Sequence, residues 1–109
     1  ESFDLIATPT TAVPAFPIGR RPQMIAGARA DSLWGAFPFT APFNIAGTPA
    51  VSLPCGFAAG MPVGLQLVCA RHRDAELLDI AEDLEEALGF DGFAVIRAFS
   101  GYRVAEANT

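Results

Sequence analysis

An α/β fold is predicted by three features of the 109-residue sequence. Two short apolar runs, Ala50–Pro54 and Val63–Cys69, are joined by a Gly/Pro-rich stretch. Asp74–Leu88 repeats apolar residues at helical spacing. Ser2–Ala7 adds a further apolar strand pattern ahead of a run of prolines. Together they predict strands over about residues 2–8, 50–55 and 63–69, a short helix over 40–46 and a longer helix over 74–88.

Taken in order, Phe3, Leu5 and Ile6 give the first strand its apolar side chains, and Thr8-Pro9-Thr10 ends it. Pro9, Pro14, Pro17 and Pro22 then disfavour regular structure up to Gln23, because proline fixes φ and lacks an N–H. This stretch reads as a long loop, with Phe16 and Ile18 as candidate anchors. From Met24 to Ala36, Gly27 and Gly35 flank a stretch in which a short helix is one option. Trp34, Phe37 and Phe39 form an aromatic cluster that either fills a core or lines an apolar pocket.

The residues from Phe39 to Val68 organise the chain. Thr40 is a candidate N-cap, with Ala41 and Pro42 in the first turn of a helix that Gly47 ends in a left-handed conformation. Pro49 pushes Thr48 to an extended backbone. Ala50–Pro54 is apolar apart from Ser52, a pattern that suits a strand buried on both faces. Gly56–Pro62 predicts a loop with Gly60 as its tight-turn residue. Val63–Cys69 is a second apolar run, interrupted by Gln66.

Asp74 is the expected N-cap of the long helix. Leu77, Ile80, Ala81, Leu84, Ala87 and Leu88 form its apolar stripe, and Gly89 its C′ stop. Asp79, Glu82, Asp83, Glu85 and Glu86 cover the remaining surface. With no His or Cys among them, a solvated face is favoured over a metal or acid–base site. Phe90–Phe99 is a candidate final strand, and residues 101–109 a polar tail.

Composition narrows the function. The net charge is −5 and the seven basic residues are all arginines, with no cluster beyond Arg20-Arg21 and Arg71-His72-Arg73, so no nucleic acid partner is expected. No apolar run approaches the ~20 residues that span a bilayer, so no membrane association is expected. Cys55 and Cys69 make neither a disulfide framework nor a zinc motif, which fits a cytoplasmic chain with buried thiols. Neither a metal nor a cofactor is implied. Cys69 and His72 are three apart, but nothing in a strand end makes them face each other as a nucleophile and base would have to.

Phe39-Thr-x-Pro-Phe-Asn-x-x-Gly-x-Pro-Ala50, the Pro54-Cys-Gly56 strand end and Gly60-x-Pro-Val-Gly-Leu-Gln-Leu-Val68 resemble the C-terminal part of amidase signature enzymes. The likeness covers roughly residues 3–88. It implies that this chain is a C-terminal portion of the amidase signature fold, all of residues 1–109 belonging to one amidase domain. The family acts through a serine nucleophile, a second serine that relays protons and a lysine base. This sequence has no lysine and no Gly-Gly-Ser-Ser-Gly-Gly run, and Ser2, Ser32, Ser52 and Ser100 lie in no such loop. No residue is therefore assigned a catalytic role, and the chain alone is expected to be inactive.

The resemblance also implies a substrate-binding set. Glutamine-specific relatives carry a carboxylate three residues before the motif threonine. The matching position here is Phe37, which argues for an apolar or aromatic amide. Thr40 and Phe43 fall where relatives that take fatty amides line their channel. The expected partner is the N-terminal part of the amidase or another copy of the chain, because a piece of a large α/β enzyme exposes sheet edges and apolar faces. The alternatives are a non-catalytic remnant that acts by association and an unrelated small α/β binding domain.

Overall fold

A computed structural model describes residues 2–30 and 33–91. Its elements are β1 (Ile6–Pro9), β2 (Met24–Ile25), β3 (Ala28–Arg29), a 3-10 turn (Leu33–Ala36), α1 (Ala41–Ala46), β4 (Ala50–Ala58), β5 (Met61–Val68) and α2 (Asp74–Leu88). Three strands form one sheet in the order β1-β5-β4, and both pairings are antiparallel. Strands β2 and β3 form a separate two-stranded hairpin. The tail over 101–109, and the candidate strand over 90–99 except for Phe90 and Asp91, lie outside the described residues.

The two long strands form where the apolar runs predict them, but they are longer and joined more tightly. Ala58 pairs with Met61, so only Ala59 and Gly60 make the turn. Their φ angles are 51° and 76°, both left-handed, which is the backbone of the hairpin turn that follows the natural twist of paired strands. The expected loop over 56–62 is thus mostly strand. Between Pro54 and Gly56 the register shifts at Cys55, a β-bulge that bends β4.

The core lies on one face of the sheet. Leu53 of β4, Leu67 of β5 and Cys69 pack against Leu77 and Ala81 of α2, with Val51, Leu65, Ile80 and Leu84 around them. Leu67 is 1% exposed; a leucine buried that fully contributes about 1.5–3 kcal/mol relative to an exposed one. Leu5 joins this cluster from just before β1.

Several expectations are corrected. The first strand begins at Ile6, not residue 2, and includes Pro9; Phe3 is 79% exposed. Proline is tolerated because β1 pairs on one side only among the described strands. Strand β4 is buried on one face, with Ala50, Ser52 and Pro54 exposed, since α2 covers just the other side. Thr40 does precede α1, but its backbone is already helical (φ −98°, ψ −39°) and its side chain makes no cap bond. The long helix is preceded by Arg73, and Asp74 is its first residue, where a carboxylate faces the positive end of the helix dipole. Ala87 and Leu88 lie on the last turn of α2 and remain exposed. The optional helix over 24–36 is instead the β2–β3 hairpin and the 3-10 turn.

Both helices stop as glycine placement predicts. Gly47 (φ 68°) donates its N–H to the Phe43 carbonyl at 2.9 Å, and Gly89 (φ 61°) donates to the Glu85 carbonyl at 3.1 Å.

Candidate substrate-facing surface

The face of the sheet away from α2 is polar. Antiparallel register sets Thr8 of β1 and Ser52 of β4 on either side of Gln66 in β5, all three pointing to the same face. Gln66 is 5% exposed, and its amide donates to Thr8 Oγ1 and to the Phe39 carbonyl, both at 2.9 Å. Thr10 and Ser52 share a hydrogen bond at 2.6 Å although they approach from opposite sides of β5. They meet across Gly64, where a Cβ would lie 2.7 Å from both hydroxyl oxygens. The two polar interruptions of the apolar runs, Ser52 and Gln66, are therefore register partners.

This face carries the segment in which sequence analysis placed the substrate residues. Three hydrogen-bonded ties hold it. The Ala12 N–H donates to the Ala36 carbonyl at 3.0 Å. Gln66 holds the Phe39 carbonyl. Arg71 donates from Nε and Nη2 to the Ala46 carbonyl, at 3.1 and 2.8 Å, and places a cation at the negative end of α1. Of these, only the link between Ala12 and Ala36 is backbone to backbone.

Within the segment, Phe37, Thr40 and Phe43 are each half-buried. The Phe37 N–H closes the 3-10 turn on the Trp34 carbonyl at 2.9 Å, and the Thr40 carbonyl accepts from the Asn44 N–H at 3.4 Å. The Phe43 carbonyl accepts from both Gly47 and Thr48. Trp34 is 69% exposed, so it fills no core among the described residues.

Two open clefts flank the segment and the sheet. One, of about 510 Å³, lies between Pro9, Ile25, Ala28, Gly35, Pro38 and Phe39, with Arg29 at its edge. Gly35 permits this fold of the chain, because a Cβ there would come within 2.9 Å of the Ala30 Cβ. Pro38 and Phe39 line the cleft; Phe37, Thr40 and Phe43 are not among its lining residues. The second, of about 470 Å³, is bounded by Val13, Pro14, Cys55, Ala58 and Val63. Sequence reasoning offered Phe39 as a pocket-lining option, and it does line this cleft, but it missed Pro38 and the part of Gln66 in holding Phe39. The clue lay in Gln66, a polar residue inside an apolar run.

The nucleophile candidates are not assembled into a catalytic group. Cys69 is buried in the core under α2, while His72 is exposed in the turn before it, with φ 65°. The Cys55 thiol faces the Val63 carbonyl at 3.6 Å. Ser52 is bonded to Thr10 and Ser2 is exposed. Arg73 and Glu76 form a two-pronged ion pair, and the Glu76 carboxylate, through hydrogen bonding and charge, raises the Arg73 pKa above its ordinary value. At an exposed site such a pair contributes little. Among the described residues no group of three or more His, Cys, Asp or Glu is placed to hold a metal ion. No described helix is long and apolar enough to cross a membrane.

A family model described as Amidase matches residues 1–78. The chain belongs to the amidase signature family. It is 39% identical over 87 residues to a glutamyl-tRNA(Gln) amidotransferase component of Clostridium acetobutylicum, a match that covers 80% of this chain and 17% of the relative. The fold matches the crystal structure of a bacterial aryl acylamidase of the amidase signature family with a TM-score of 0.74, at 27% identity, over 94% of this chain and 21% of that one. A second solved structure, described as an amidase, matches with a TM-score of 0.73 at 34% identity, over 79% of this chain and 20% of the other. The chain thus spans about a fifth of the length of the relatives it matches.

Proposed function

We propose that this chain is the C-terminal portion of an amidase that hydrolyses carbon–nitrogen amide bonds through a serine acyl-enzyme. The Ser-Ser-Lys group belongs to the rest of the protein. In that mechanism a serine oxygen attacks the amide carbonyl, the C–N bond breaks and the amine leaves with a proton. Water then hydrolyses the ester and frees the acid. The part played by this chain is scaffold and one wall of the acyl pocket.

The observation that carries this reading is the three-point tether of residues 36–46 on the polar face of an amidase-family sheet. Such a segment is held by atoms outside itself, as a wall that must keep its shape needs to be. Phe37, Thr40 and Phe43 are its substrate-facing residues in this reading. Phe37 in place of a carboxylate favours an apolar or aromatic amide over glutamine. The partner is the N-terminal part of the same amidase or a second copy of the chain. The free thiols Cys55 and Cys69 suit a reducing cytoplasm.

The test is the coding sequence upstream and the protein it specifies. A glycine–serine loop and a lysine are expected there, and the full-length protein is expected to release ammonia from benzamide. Replacing the upstream lysine should abolish turnover. An upstream sequence without those residues, or turnover by the pure 109-residue chain, would overturn the reading in favour of a non-catalytic remnant or of chemistry within this chain.

A further inference from the structure

We infer that Gln66 is a positioning residue that sets the acyl-size preference of the pocket by fixing the backbone at Phe39; this rests on the amidase reading proposed above. Gln66 is the only polar or charged residue among the described ones that is buried. One of its two donated bonds goes to Thr8 Oγ1 on β1. That bond adds little positional information, because the β1–β5 ladder already fixes Thr8 opposite Gln66. The other bond reaches 27 residues back to the Phe39 carbonyl. Phe39 is in no strand or helix, and with Pro38 it lines the cleft of about 510 Å³. Gln66 is thus the described side chain through which the rigid central strand holds that wall.

A buried amide constrains such a joint well. Its donors are directional and its surroundings exclude competing water, so the Phe39 carbonyl has one favoured position. Removing the donors leaves a carbonyl short of a partner, and the segment relaxes toward solvent. A bulky acyl group pressed against Pro38 and Phe39 would feel that movement. A small acyl group would not reach the wall. Phe39, not Gln66, meets the acyl group; Gln66 acts through it.

The experiment uses the full-length protein with acetamide, hexanamide and benzamide. Gln66→Met keeps the length of the side chain and removes both donors. Gln66→Leu removes both donors at similar size without adding a charge and serves if the first variant does not fold. Thr8→Val removes the intra-sheet bond and leaves the bond to Phe39. In either Gln66 variant, KM for benzamide should rise about five- to tenfold, while kcat and KM for acetamide stay within about twofold. Thr8→Val should lower the melting temperature without changing the ratio of benzamide to acetamide kcat/KM. If the Gln66 variants fold cooperatively and keep the parental ratio, or if Thr8→Val shifts it equally, the positioning role is wrong. If the unaltered protein cleaves none of the three amides, the amidase reading itself falls, and this inference with it.

Discussion

At the scale of single residues, the fold depends on places where a side chain must be absent or left-handed. Gly64 is the clearest. Its missing Cβ lets Thr10 and Ser52 bond across the central strand. Gly64→Ala should destabilise the protein by about 1–3 kcal/mol, the usual range for overpacking, as measured by urea unfolding. Thr10→Ala should recover part of that loss, giving a non-zero coupling in a double-mutant cycle. The opposite effect is expected at Ala59, where φ is 51°. An alanine held left-handed is strained, and the following Gly60 completes the turn in which Asn-Gly is favoured. Ala59→Asn should therefore raise stability by about 0.5–1 kcal/mol. An unchanged or lower melting temperature would count against this turn geometry.

At the scale of elements, the two helices are held in different ways. The long helix α2 is fastened by its apolar stripe. Leu77 is 3% exposed and its neighbour Leu78 is 62% exposed. Leu77→Ala should cost about 2–5 kcal/mol and Leu78→Ala less than about 0.5 kcal/mol, read as shifts in denaturant midpoint. The short helix α1 buries no residue and is too short to stand by propensity. Its end is fixed by Gly47 and by the Arg71 guanidinium on the Ala46 carbonyl. A Cβ at Gly47 would lie 2.8 Å from Arg71 Nη2, so the two restraints share space. Gly47→Ala should destabilise by about 1–2 kcal/mol from its left-handed backbone. It should also weaken the effect of a second Arg71→Ala change, since the first displaces that guanidinium.

At the scale of the whole molecule, much apolar surface is left open. Ile18, Ile45, Phe3 and Trp34 are 104%, 86%, 79% and 69% exposed. Scattered single residues are ordinary on a protein surface, but these accompany a sheet with α2 on one face and edge strands that, among the described residues, pair on one side only. The 109-residue chain by itself is expected to bind a hydrophobic dye or to self-associate, and to release no ammonia from benzamide. Adding the rest of the amidase should suppress the dye signal. A monomeric, dye-silent chain would argue for a self-sufficient unit and against the partner proposed for it.

The sequence by itself determined the main elements from Thr40 onward and the family. Apolar runs of strand length, a stripe at helical spacing and two left-handed glycines are local properties, so β4, β5, α2 and both helix ends were legible without coordinates. The glycine and proline punctuation from Phe39 to Val68 carried the likeness to amidases for the same reason. Chain direction and register were not legible, because they depend on which strands meet. Only the tertiary structure made Ser52 and Gln66 partners, set Thr10 against Ser52 across Gly64 and joined Gln66 to a carbonyl 27 residues away. It also decided which member of the aromatic cluster lines the cleft, Phe39 with Pro38 beside it and not Phe37. A contact between distant residues is fixed by packing and burial, which no local pattern of residue types records.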